Sequence, residues 1–206
     1  MNPIKVMLVD DHSVMRKGLS ALLGTCPEIQ VCAEASNGAD GIRKALEHRP
    51  DVIIMDLLMP EMDGIDATRL LLSQWPDAKV LVLTTVGSSD TLSQALEAGA
   101  TGALLKSAEL DELCEAIAAT SAGERYLSSE ILQILSDDPP AEKLSPRQAE
   151  ILKSIVDGQT NADIARQLGI SIQMVKAHVT RLLKKLGAVS RTEAAAIALK
   201  KHLLKI

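Results

Sequence analysis

The chain has 206 residues, 47% hydrophobic and 24% charged, an ordinary globular balance that excludes disorder and collagen-like repeats. No apolar run approaches the roughly 18 residues that cross a bilayer. The formal charge of −5 is divided: residues 1–140 hold ten Lys/Arg and 22 Asp/Glu, net −12, while residues 141–206 hold twelve and five, net +7. An acidic piece therefore precedes a basic one.

Short aliphatic runs at 5–10, 30–35, 51–56, 79–84 and 102–106 alternate with stretches of helical spacing, such as Leu110, Leu113, Cys114 and Ile117. This pattern predicts βαβ units and a five-stranded, doubly wound parallel sheet over residues 1–125. Val52-Ile53-Ile54-Met55 and Val80-Leu81-Val82-Leu83 are apolar without alternation, as inner strands covered on both faces should be. Residues 126–143 are read as a short helix, capped by Ser128 and running to Leu135, then a linker containing Pro139 and Pro140. Residues 144–206 form a small all-α domain, with helices expected at 146–157, 161–168, 172–186 and 192–203. Gly158, Gly169 and Gly187 stand where helix ends favour positive φ.

Aromatic residues are nearly absent: Trp75, Tyr126 and no Phe. Aliphatic side chains must fill the core, and aromatic stacking on single-stranded nucleic acid is close to excluded. Cys26, Cys32 and Cys114 are odd in number and form no CxxC pattern, so neither a disulfide framework nor a zinc site is expected. Met1-Asn2-Pro3-Ile4-Lys5 lacks the basic, apolar and small-residue regions of a secretion signal. A cytoplasmic protein with reduced thiols and no membrane partner is the expectation.

Open parallel sheets bind ligands outside the carboxyl ends of their strands. Asp10 and Asp11 close the first run, Asp56 the third, Thr84 the fourth and Lys106 the fifth. Three carboxylates at one edge repel one another unless a cation neutralises them, and hard oxygen ligands favour Mg²⁺. An aspartate beside such an ion can attack a phosphoryl group, with the ion and an ammonium group offsetting charge on the transferring oxygens. Taken singly, each residue has a plainer reading. Asp11 could cap a helix starting at Ser13, Asp63-Gly64 is a turn dipeptide, and His12 is a polar loop residue.

Val9-Asp10-Asp11-His12, Met55-Asp56-Leu57-Leu58-Met59-Pro60-Glu61-Met62-Asp63-Gly64, Leu83-Thr84-Thr85 and Leu104-Leu105-Lys106 resemble, in order and spacing, the receiver domain of bacterial two-component response regulators. The resemblance covers about residues 4–123. It implies that Asp56 accepts phosphate from a sensor histidine kinase. It also implies that Asp10, Asp11, Asp56 and the backbone carbonyl of Leu58 hold Mg²⁺, that Thr84 follows the phosphate and that Lys106 pairs with it. One position departs from the pattern. Receivers usually carry an aromatic residue three before the lysine, whose rotation reports phosphorylation; here it is Ala103, and Val86 stands at a second position that is commonly aromatic. Phosphorylation then acts through loop and helix shifts alone, or the output is weakly coupled to it.

In the basic domain, Ile172, Val175, Val179, Leu182, Leu183 and Leu186 form an apolar stripe, with Gln173, Lys176, Thr180, Arg181 and Lys184 opposite. A short helix, a glycine turn and a longer basic helix make a helix-turn-helix, whose second helix enters the major groove of double-stranded DNA. Leu144-Ser145-Pro146-Arg147-Gln148-Ala149-Glu150-Ile151-Leu152, Asn161-Ala162-Asp163-Ile164-Ala165, Val175-Lys176-Ala177-His178, Lys185-Leu186-Gly187-Ala188 and Ser190-Arg191-Thr192-Glu193-Ala194 resemble the LuxR-type DNA-binding domain. With a receiver in front, the whole is similar to the NarL/FixJ class of response regulators. The resemblance implies that Gln173, Lys176, Ala177 and Thr180 face promoter DNA, with Arg181 and Lys184 on the same side. Gln148 replaces a usual glutamate, a change expected to be tolerated. His178 reads as a structural or phosphate-contacting residue. The alanine-rich last helix either pairs across a two-fold axis, giving a homodimer on DNA, or covers the domain's own core.

The expected function is a phosphorylation-controlled transcription factor, not an enzyme. The alternative keeps DNA binding and drops the phosphate switch. A haloacid-dehalogenase-type phosphatase is a distant third, because that family needs acids two apart and Asp10 and Asp11 are adjacent.

Overall fold

The computed structural model describes residues 2–85, 88–137, 144–200 and 203–204. Two compact units divide the chain, 1–138 and 139–206.

In the first unit, β1 (Ile4–Val9), β2 (Ile29–Ala35), β3 (Val52–Asp56), β4 (Val80–Thr84), β5 (Gly102–Leu105) and β6 (Tyr126–Leu127) form one sheet in the order β2-β1-β3-β4-β5-β6. All pairings are parallel, with a register irregularity between Val6 and Met7. Between the strands run α1 (Ser13–Leu23), α2 (Gly38–His48), α3 (Gly64–Gln74), α4 (Ser89–Glu97) and α5 (Leu110–Ser121), followed by α6 (Ser129–Asp137).

Because strand side chains alternate between faces, the buried inner strands feed separate cores. Val6, Leu8, Val52, Ile54, Leu81, Leu83 and Leu104 meet Leu19, Leu23, Leu113 and Ile117 of α1 and α5. Met7, Val9, Ile53, Met55 and Val80 meet Ile42, Ala45, Ala67 and Leu71 of α2 and α3. A further cluster joins Leu57, Val82 and Ala103 to Ile65, Leu92, Ala95 and Ile131. Aliphatic and methionine side chains fill all three, with Tyr126 packed against the first and Trp75 against the second. Trp75 is half-buried and carries the Arg49 guanidinium 4.5 Å from its ring centroid.

The sheet has six strands where five were expected. Tyr126-Leu127 has too little length to signal a strand by periodicity, but it pairs Gly102 with Tyr126 and Ala103 with Leu127. The following helix, expected to end at Leu135, runs to Asp137. Ser128 Oγ accepts from Ile131 N–H at 3.3 Å at its start. Ile131 is fully buried against β5 and α4, so residues 126–137 belong to the acidic unit. Of the linker expected over 136–143, Ser136 and Asp137 belong to α6, while 138–143, like Val86, lie outside the described residues.

The second unit holds α7 (Pro146–Val156), α8 (Asn161–Leu168), α9 (Ile172–Leu186) and α10 (Arg191–Lys200). The predicted end at 157 gives way to Val156, and the last helix, expected over 192–203, starts at Arg191 and is described to Lys200, with residues 201–202 outside the described residues. Gly158, Gly169 and Gly187 take φ of 75°, 63° and 68°, the left-handed region in which glycine has no Cβ penalty. The core is Ile151, Leu152, Ile155, Ile164, Val175, Val179, Leu182, Ala194 and Ala198. Among the described residues, no helix is long and apolar enough to cross a membrane.

Candidate functional site

The parallel order carries β1, β3, β4 and β5 side by side, so their carboxyl ends form one edge. Asp56 is the last residue of β3, Asp10 directly follows β1, Thr84 ends β4, and Lys106 directly follows β5. Asp10, Asp56, Thr84 and the Lys106 side chain are buried, and Asp11 is half-buried. Donor atoms of Asp10, Asp11, His12 and Asp56 all lie within 4.8 Å of one another.

Lys106 Nζ donates to Asp10 Oδ2 at 2.7 Å and to Asp56 Oδ2 at 2.8 Å. One ammonium thus bridges two carboxylates. Asp10 Oδ1 accepts from His12 N–H at 2.7 Å, and Asp56 Oδ1 accepts from Leu58 N–H at 3.4 Å. Burial pushes the Asp56 carboxyl above the ordinary aspartate range, against the pull of Lys106, and the charge of Asp10 pushes the same way. Burial works to lower the Lys106 ammonium, but its two carboxylate partners together raise it.

Asp11 does not cap α1. The capping position is His12, which makes no side-chain cap bond. Asp11 Oδ1 is buried without a hydrogen-bonded partner. His12 Nδ1 lies 2.8 Å away without hydrogen-bond alignment, on a side chain that is 69% exposed. A buried, unsatisfied carboxylate oxygen beside two other carboxylates is a donor set with room for a cation.

Asp63-Gly64 is not a free turn. Asp63 Oδ1 caps α3 by accepting from Asp66 N–H at 2.7 Å. Gly64 is the first residue of α3, and a Cβ built there would stand 2.0 Å from the carbonyl oxygen of Asp56. The helix start therefore rests directly on the backbone of Asp56, which only glycine permits.

Sequence reading missed Arg16. On α1, its guanidinium donates to the Asp10 carbonyl at 2.6 Å and reaches Glu34 Oε2 at 3.3 Å. It pins the loop that carries Asp10 and Asp11. Its partners lie six and 18 positions away, so local spacing carried no signal for the role. Ala103 is 1% exposed, and its cluster neighbours Leu92, Ala95 and Ile131 are aliphatic or small.

In the basic unit, α8, the turn 169–171 and α9 build the helix-turn-helix. Thr160 and Asp163 form a capping box at α8, and Ser171 Oγ caps α9 from Met174 N–H at 3.2 Å. Arg147 donates to the Leu168 carbonyl at 3.3 Å, and Arg191 donates to Asn161 Oδ1 at 2.7 Å and to the Gln159 carbonyl. These bonds tie α8 to α7 and α10. Gln148 completes a capping box with Ser145: its N–H donates at 3.2 Å and its Oε1 accepts from Ser145 N–H at 2.9 Å. Either glutamate or glutamine can do this, so the capping bonds are kept with Gln148 in place.

Gln173, Lys176, Ala177, Thr180, Arg181 and Lys184 are all exposed along α9. The Thr180 hydroxyl donates to the Lys176 carbonyl at 3.0 Å, so its proton is already used. His178 is half-buried. Ile172, expected in the apolar stripe, is 47% exposed, because it lies in the first turn beyond the reach of the core. Ala194 and Ala198 of α10 are buried in the domain's own core, whereas Ala196 and Leu199 are exposed.

Residues 6–118 match the response regulator receiver domain family, and residues 142–198 match the family of bacterial regulatory proteins of the luxR type. The transcriptional regulatory protein LiaR of Bacillus subtilis is 43% identical, over 98% of this chain and 99% of its own. The response regulator protein VraR of Staphylococcus aureus is 37% identical over 98% and 99%. Among solved structures, the response regulator ChrA of a heme-sensing two-component system is 38% identical, covers 99% of this chain and 100% of its own, and superposes with a TM-score of 0.60. An RcsB–DNA complex, 24% identical over 97% and 99%, shares the fold at a TM-score of 0.72. The chain belongs to the NarL/FixJ class of two-component response regulators, transcriptional regulators that join a receiver domain to a LuxR-type helix-turn-helix domain.

Proposed function

We propose that Asp56 is the phosphoacceptor of this regulator, receiving phosphate from a sensor histidine kinase, and that its phosphorylation controls DNA binding through α9. The observation that carries the reading is the bridge of Lys106 between Asp10 and Asp56, at 2.7 and 2.8 Å, beside the unsatisfied Asp11 oxygen. Asp10, Asp11, Asp56 and the Leu58 backbone carbonyl are the residues that would hold Mg²⁺. When bound, that ion offsets negative charge on the phosphoryl oxygens. Asp56 attacks phosphorus through a carboxylate oxygen as the P–N bond to the kinase's phosphohistidine breaks and the imidazole leaves, and Lys106 exchanges a carboxylate partner for a phosphoryl oxygen. Thr84, buried at the end of the neighbouring strand, supplies the hydroxyl that follows the phosphate.

The base-edge and phosphate contacts fall to Gln173, Lys176, Ala177, Thr180, Arg181 and Lys184. A homodimer on an inverted repeat is the assembly that suits a helix-turn-helix reader. A phosphodonor is expected to change the affinity of wild type for its operator and to leave Asp56→Asn unchanged. An Asp56→Asn protein that responds like wild type overturns the mechanism.

The packing of Ala103 favours a second reading. With Ile131, Leu92 and Ala95 closed around it, no aromatic rotor couples Thr84 to the surface. DNA binding is then independent of phosphate or linked to it through α4 and α6. Operator affinity unchanged by phosphodonor in the wild-type chain supports the independent form.

A further inference from the structure

Cys26 and Cys114 are 88 positions apart in the chain, yet their sulfurs lie 3.1 Å apart. Cys26 sits in the turn between α1 and β2, where its N–H bonds the Leu23 carbonyl and its own carbonyl accepts from Ile29 N–H, each at 3.0 Å. Cys114 lies in the second turn of α5. Both are half-buried against one aliphatic cluster that includes Leu19, Leu23, Leu113 and Ile117. The sulfurs stand about 1 Å beyond the ~2.04 Å of a disulfide bond. Cys32, on β2, is half-buried with its thiol pushed up by burial.

We propose that Cys26 and Cys114 are an oxidation site, closing to a reversible intramolecular disulfide under a peroxide. The Cys26 thiolate attacks one peroxide oxygen, the O–O bond breaks, and hydroxide leaves to be protonated to water. Cys26 is now a sulfenic acid. Cys114 Sγ attacks that sulfur, the S–S bond forms, the S–O bond breaks, and the hydroxyl leaves as water with the proton of Cys114. Two thiols are oxidised, one peroxide is reduced, and two waters result. The order follows from the neighbourhood. Cys26 lies in a turn, whereas Cys114 is held within α5, where burial and the contact with Cys26 push its thiol up, so Cys114 enters second.

The bond ties the end of α1 to α5. α1 starts just past Asp10-Asp11, and α5 starts four residues after Lys106. Two of the helices that start at the carboxylate edge thus become covalently linked, through the turn that follows α1, which raises the melting temperature of the receiver by closing a long loop in the unfolded chain.

The test uses the full reduced chain, treated with hydrogen peroxide, alkylated, digested and analysed by mass spectrometry. The expected product carries one alkylated cysteine, Cys32, and a linked peptide pair containing Cys26 and Cys114 that dithiothreitol separates. Cys32→Ser should give the same pair, and Cys114→Ser should stop at a sulfenic acid on Cys26, trapped by dimedone. The oxidised wild type should melt several degrees above the reduced form, a difference absent in Cys26→Ser. Linkage through Cys32, linkage between chains, or over-oxidised single cysteines without the linked pair in the wild type overturns the proposal. So does an oxidised wild type that melts at or below the reduced form.

Discussion

One ammonium group is shared by two buried carboxylates, and at Asp56 burial outweighs its pull. Burial holds its carboxyl above the ordinary value of 3.8 in spite of Lys106. The folded chain therefore binds that proton more tightly than the unfolded chain, and its stability falls as pH rises from about 4 through the raised value. Lys106 does not reverse the trend. Its contribution is fully present below the ordinary 10.5 and is lost only as pH rises through its own raised value. Asp56→Asn is accordingly expected to raise the melting temperature of the metal-free receiver near pH 7 and to flatten its pH dependence, as read by scanning calorimetry. A fall in melting temperature would mean that the ion pair outweighs its desolvation. Gly64 is the other residue on which the site depends. Gly64→Ala places a methyl group against the Asp56 carbonyl, where backbone has to move, and a loss of about 3 kcal/mol in urea unfolding is expected.

At the scale of elements, α6 is the piece whose role the fold changes. Its Ile131 is fully buried between β5 and α4, over the position where receivers usually place their aromatic switch. Ile131→Ala should open a cavity there and cost about 2–5 kcal/mol in the receiver's unfolding transition. A helix that merely began a linker would tolerate the change within experimental error. In α9, the residues opposite the buried stripe are exposed while Val175, Val179 and Leu182 anchor the helix. Lys176→Ala and Lys184→Ala should each weaken binding to all sequences alike. Each should also make the slope of log affinity against log salt shallower by about 1, measured by fluorescence anisotropy. Gln173→Ala should instead relax preference at one base pair.

Across the whole molecule, the net −12 and +7 halves correspond to a carboxylate-rich regulatory unit and a DNA-facing one. DNA affinity should fall steeply with salt although the chain as a whole is acidic, because the phosphates meet the basic helix rather than the average charge. Site selection on random DNA should return two half-sites about one helical turn apart if the regulator binds as a dimer. A single unpaired half-site would count against that assembly. The sequence by itself determined the strand–helix alternation, the two-part organisation and the residues at the carboxylate edge. Periodicity, glycine placement and charge are local properties, readable along the chain. Tertiary structure alone decided what depends on distant partners. The two-residue β6 exists only because β5 is there to pair with it. Asp11 keeps an oxygen without a hydrogen-bonded partner, while Lys106 is engaged by Asp10 and Asp56. Arg16 becomes a support of the site through Asp10 and Glu34, and Cys26 meets Cys114 because α1 and α5 pack on the same face of the sheet. None of these contacts has a period or a spacing, since each arises from the folding of separate segments onto one sheet.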